Sequence, residues 1–174
     1  MRYFDELKRT MDWLGKQPRT IFLGQAVAYP GTAMFNTLKD VNPERRWELP
    51  VAEEFQMGVA TGMALQGFVP VSVFPRWNFL LLGINQLVNH LDKLPLISDY
   101  KPKVIIRTGV GSERPLDPQW QHKGDYTDAI RSMLQTVRVV RLDEPEQIFP
   151  AYQEAYSADH STVLCEVSDF INEK

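Results

Sequence analysis

The apolar positions of this chain change period several times. Phe4, Leu7, Met11 and Leu14 recur at three- and four-residue intervals, which predicts a helix over Tyr3–Leu14 that Pro18 stops. Thr20–Val27 (TIFLGQAV) is a short apolar run of the kind that forms a buried strand. A short helix is expected from Thr32 to Leu38, and Asn42-Pro43 breaks the chain again. A longer helix is predicted over Ala52–Gln66, with Gly67 as its stop. Beyond it, strands are expected at Val69–Phe74, Lys103–Arg107, Val137–Leu142 and Thr162–Val167. Helices are expected at Asn78–Leu94, Asp125–Leu134 and Pro145–Ser157, the last with an acidic first turn that suits the helix dipole.

Short apolar strands alternating with amphipathic helices predict an α/β fold: a three-layer, doubly wound, mostly parallel sheet with helices on both faces. A single domain is expected over 1–174, an N-terminal helix (1–18) lying on an α/β core (20–167). Such sheets bind ligands beyond the carboxyl ends of their strands. The loops after Val27, Phe74, Arg107 and Leu142 are therefore where a site is expected.

Composition narrows the function. The formal net charge is -3, so there is no global basic field to attract nucleic acid. The first 17 residues are charged throughout and read as no signal peptide, and the apolar stretch Phe79–Leu91 is too short and too polar to span a bilayer. The one cysteine, Cys165, sits in an apolar run and reads as a small core residue; it fits a reducing cytoplasm.

Most signatures of catalysis are missing. Neither a dinucleotide-binding G-x-G-x-x-G, nor a P-loop, nor a nucleophile elbow is present in context. His90, His122 and His160 are far apart, so no metal site is expected. What remains is a set of residues with two readings each. Glu53 and Glu54 open a predicted helix, where a carboxylate gains about 0.3–1 kcal/mol from the dipole and needs no further role. The helix they open carries Gly58, Ala60, Gly62 and Ala64, at up to about 1 kcal/mol per glycine in helix propensity. That cost suggests close packing, for instance against a partner subunit. Trp77 and Phe79, just after a strand, are either core or a stacking platform for a flat ring. His122, in the polar loop QWQHKGDY, is either a solvated histidine or a functional one; His90 and His160 read as structural or exposed.

The order of these pieces resembles a known family. The segments LPVAEEFQMGVATGMALQGFVPV, FPRWNFLLLGINQLVNHLDKL, KVIIRTGVG, QWQHKGDY and VRVVRLDEPEQIFPAYQEAY are similar, in that sequence, to the pyrimidine-binding domain of transketolase-like thiamine-diphosphate enzymes. The likeness is to the N-terminal half of the beta subunits of 2-oxo-acid dehydrogenase first components, and it runs from Thr20 to Val167. The resemblance implies that Glu53, in a P-[IV]-x-E segment, hydrogen-bonds the N1′ nitrogen of the cofactor's aminopyrimidine. A desolvated carboxylic acid there favours the imino tautomer, whose exocyclic nitrogen takes the thiazolium C2 proton. It further implies that Phe79 stacks on the pyrimidine, that Trp77 lines the same pocket, and that His122 faces the substrate. Arg107 takes a structural or interface role. Two departures, Phe55-Gln56 after the glutamates and Lys123-Gly124 after the histidine, put the substrate in question more than the cofactor.

In this family a separate domain holds the diphosphate through Mg²⁺. A chain that stops at Lys174 is accordingly expected to be a stand-alone pyrimidine-binding subunit. It would be active only with a companion subunit carrying the diphosphate-binding domain, in an α2β2 assembly, on a 2-oxo acid or ketose substrate. The alternatives are a truncated 2-oxo-acid dehydrogenase beta chain and a catalytically silent binding or regulatory homologue.

Overall fold

In the computed structural model, which describes residues 2–111, 113 and 117–171, strands β1 (Thr20–Gly24), β2 (Arg46–Glu48), β3 (Val69–Phe74), β4 (Ile105–Val110), β5 (Arg138–Leu142) and β6 (Thr162–Val167) form one sheet. The order across it is β2-β1-β3-β4-β6-β5, and every neighbouring pair is parallel. The helices are α1 (Tyr3–Leu14), α2 (Ala33–Leu38), α3 (Glu53–Leu65), α4 (Trp77–Leu80), α5 (Leu94–Ile97), α6 (Thr127–Met133), α7 (Pro145–Ser157) and α8 (Ser168–Ile171).

Alternation along the strands divides the core in two. Phe22, Val71, Val73, Ile105 and Leu164 face α1, α2, α7 and α8, where they meet Leu7, Met11, Leu14, Leu38, Ile148 and Tyr152. Leu23, Phe74, Ile106, Val163 and Cys165 face the opposite way, onto Met57, Ala60, Trp77, Leu80 and Ile130 of α3, α4 and α6. A sheet buried on both faces is what continuous apolar strands require. Each fully buried Leu, Val or Phe contributes about 1.5–3 kcal/mol. This is the expected three-layer, doubly wound fold.

The differences from the sequence expectation are local and have causes. β1 ends at Gly24, not Val27, because Gly24 (φ 134°) and Ala26 (φ 60°) turn the backbone out of the sheet. β4 starts later and runs on through Val110, paired to Glu166 and Val167 of β6. Three residues of β2, too few to show a pattern, add a strand at the edge. The helix expected over Asn78–Leu94 is broken into α4, a tight turn at Leu81–Gly83, a wide turn at Gln86–Leu91, and α5. In the wide turn the Asp92 amide reaches Leu87 O at 3.0 Å, one residue further back than in an α-helix. This places the buried Asp92 carboxylate on the amides of Gln135, Thr136 and Val137 at 2.8–3.1 Å.

Candidate active site

The windings of the chain locate a crevice before any side chain is considered. β1 leads into α2 on one face of the sheet, and its neighbour β3 leads into α4 on the other. Adjacent strands whose connections part in this way leave an opening at their carboxyl ends. The β2–α3 connection returns past the end of β1, where the Leu49 amide meets Gly24 O at 2.8 Å, and opens α3 with Glu53 beside Gln25.

Glu53 and Glu54 now separate. Glu54 is exposed and stays a first-turn carboxylate, with long 3.4 Å contacts from Asn85 and Gln86. Glu53 is buried, at 3% exposure. Its Oε1 accepts from Gln25 Nε2 at 2.9 Å. Beneath it, Gln56 is fully buried and donates to Ser72 Oγ at 3.0 Å and to Val73 O at 2.9 Å. Gly24 permits this closeness: a Cβ there would stand 2.3 Å from Val73 O and 2.5 Å from Gln56 Nε2. Gly83 presses on the other side, where a Cβ would lie 3.1 Å from Glu53 O.

A second group of residues gathers at the start of α4. Phe79 is half-buried and lies against the His122 ring, centroids 5.1 Å apart at 34°. Asn78 Nδ2 donates to Gln121 O at 3.0 Å and holds the histidine loop to α4. His122 Nδ1 is shielded from solvent and has no partner among the described residues, as is Asn78 Oδ1. Trp77 lies deeper. It is fully buried in the core, and its indole N–H reaches Thr127 Oγ1 at 3.2 Å. Phe79 and His122 are thus brought together, and Glu53 is joined to Gln25. Among the described residues, no hydrogen bond, ion pair or ring contact links Glu53 to Phe79 or His122.

The remaining candidates fall elsewhere. Arg107 is fully buried mid-strand on Glu166. His90 is exposed on the wide turn, and His160 lies beside Asp159 in the loop before β6. Cys165 is buried, which pushes its thiol up to about 12. A Cβ at Gly58 or Gly62 would meet nothing within 4 Å; the two border an open groove of about 310 Å³ with Thr61, His90 and Ile97. Among the described residues there is no group of three or more His, Cys, Asp or Glu placed to hold a metal ion, and no helix is long and apolar enough to cross a membrane.

Gln25 and Glu48 were not legible as site residues. Glu48, at the end of β2, accepts from the amides of Ala26, Val27 and Ala28, each at 2.8 Å, and so fixes the loop that carries Gln25. The signal available was position alone, since Gln25 follows a glycine near a strand end.

No protein-family model matches the chain. It is 30% identical over 120 residues to the pyruvate dehydrogenase E1 component subunit beta of Gracilaria tenuistipitata var. liui, a match over 65% of this chain and 37% of that one. It is 34% identical over 85 residues to a 3-methyl-2-oxobutanoate dehydrogenase subunit beta of Mycobacterium tuberculosis (strain CDC 1551 / Oshkosh), over 47% of this chain and 24% of that one. The chain thus spans well under half of these relatives' length. In fold it matches a split-gene transketolase solved as an inactive beta4 tetramer, with a TM-score of 0.74 and 19% identity, over 97% of this chain and 52% of that one. The chain is thus similar in sequence to the beta subunits of 2-oxo-acid dehydrogenases and similar in fold to a split-gene transketolase.

Proposed function

We propose that the chain is the pyrimidine-binding subunit of a cytoplasmic thiamine-diphosphate enzyme, with residues 1–174 acting as one domain. The observation that carries this reading is the buried Glu53 carboxylate at the β1/β3 crevice, held at one oxygen by Gln25. A desolvated carboxyl at that place suits a weakly basic ring nitrogen, to which it donates or from which it withdraws a proton. Phe79 offers a half-buried aromatic face for a flat ring, with Trp77 supporting it from the core. His122, whose Nδ1 is sheltered, is left with Nε2 to meet a substrate carboxylate or carbonyl. Thiamine diphosphate, when bound, supplies the nucleophilic carbon that breaks or forms a carbon–carbon bond beside a carbonyl. The substrate class is a ketose or a 2-oxo acid, and the reaction is transfer of a two-carbon unit or decarboxylation. In this proposal the diphosphate and its Mg²⁺ are held by a companion subunit, in an α2β2 assembly.

The test is reconstitution with the subunit that carries the diphosphate-binding domain. Glu53→Gln should lower turnover by a factor of about a hundred or more, in the range of a lost general acid–base group. Unchanged turnover would instead favour a silent homologue. Turnover by the chain alone, given thiamine diphosphate and Mg²⁺, would remove the need for a companion.

A further inference from the structure

The residue that holds Glu53 has its own supporting structure. Gln25 follows β1 directly, and its amide N–H reaches Val73 O at 3.3 Å. The next three amides are pinned at 2.8 Å by the Glu48 carboxylate, Ala26 on Oε1 and both Val27 and Ala28 on Oε2. On the other side of Gln25, Gly24 O accepts from the Leu49 amide at 2.8 Å. The side-chain amide that meets Glu53 is therefore delivered by a backbone fixed before and after it.

Resting on the reading of Glu53 as the ring-nitrogen partner, we propose that Gln25 is its positioning residue, occupying Oε1 so that Oε2 is the oxygen presented to the pyrimidine. A carboxyl group free to rotate offers either oxygen and samples many directions; one strong donor on Oε1 fixes its plane. An amide is also the right donor chemically. It gives a hydrogen bond but neither takes up nor releases a proton near neutral pH. The proton at Glu53 therefore moves between Oε2 and the ring, because the amide on Oε1 neither takes it up nor releases it.

Two substitutions separate this role from simple packing. Gln25→Met keeps the length and removes the donor; Gln25→Glu keeps the shape and adds an acid. In the unloaded chain, Gln25→Glu should lose thermal stability progressively as pH rises from about 5 to 8, because two adjacent carboxylates oppose each other's ionisation. Gln25→Met should show an offset that does not change with pH. A Gln25→Glu deficit that is flat with pH would overturn the contact. In the reconstituted complex, Gln25→Met should lower kcat about tenfold with substrate KM unchanged. Gln25→Glu should recover part of that rate on the acid side, where its carboxyl can donate. If Glu53→Gln abolishes turnover and Gln25→Met does not change it, the positioning role falls and the function stands. If Glu53→Gln leaves turnover intact, both fall, whatever the unloaded chain shows.

Discussion

Two glutamates of this chain, Glu166 and Glu53, are both buried and are held in different ways. Glu166, on β6, lies between strands in the α1-side core. Arg107 grips it with two bonds, Nε to Oε1 at 2.6 Å and Nη2 to Oε2 at 2.8 Å, and Tyr152 donates a third at 2.7 Å. Burial, and then the Glu166 charge, push the Tyr152 phenol well up, so it stays a donor. Tyr3 closes the end of the network by donating to Leu142 O and accepting from the Val167 amide. Glu53, at 3% exposure, is met on one oxygen by one neutral amide. The difference follows position in the sheet. A charge in the middle of parallel strands is enclosed by protein on every side and must be compensated there. A charge at the carboxyl end of a crevice is supported from beneath, and its other side faces where a ligand would lie.

The contrast breaks first at Glu166. Glu166→Gln leaves the Arg107 guanidinium buried without a counter-charge, and should destabilise the fold by about 3–5 kcal/mol. Urea unfolding measures this. The double change Arg107→Met with Glu166→Leu should recover much of the loss, because it removes both charges together. A single-substitution cost under about 1 kcal/mol would mean that the pair contributes little and that burial alone does not distinguish the two sites.

Asp92 is the intermediate case, a buried carboxylate compensated by backbone. Burial acts to raise its pKa, but the Lys93 ammonium and the amides of residues 135–137 outweigh this and hold it down at about 2. A group depressed in the folded state stabilises above its unfolded value, near 4, and that stability is lost as pH falls toward 2. The contribution is on the order of 2 kcal/mol. Thermal unfolding followed from pH 5 to about 2.5 should show a steep acid limb, which Asp92→Asn flattens. An unchanged slope would place the acid sensitivity elsewhere.

How much of this was written in the sequence depends on the length of the element. α1, β3, α7 and β6 were readable to the residue, because each carries enough apolar positions to fix its period. β2 was not, since three residues show no alternation. The broken helix after Trp77 was hidden because Leu80, Leu87 and Leu91 stay buried at helical spacing even where the backbone tightens and widens. Around the crevice, Glu53, Phe79 and His122 are the residues that the resemblance proposes, while Gln25 was concealed by a strand drawn three residues too long. Its contact with Glu53 spans 28 residues, and no local pattern encodes a contact at that separation. Trp77 is fully buried, a depth that its place just after a strand did not reveal.

The smallest expected effect on stability sharpens the comparison most. Glu53→Gln preserves the side-chain volume and keeps an acceptor oxygen for Gln25 Nε2. What it removes is a negative charge in the first turn of α3, worth about 0.3–1 kcal/mol through the dipole. Part of even that is offset, because an amide costs less to bury than a carboxylate. The variant should therefore unfold in urea within about 1 kcal/mol of the parent chain, against several for Glu166→Gln. That result would support the proposed chemical role for a carboxylate that is costly to bury and contributes little to the fold. A loss at Glu53 as large as that at Glu166 would make it a structural charge, and the functional assignment would lose its foundation.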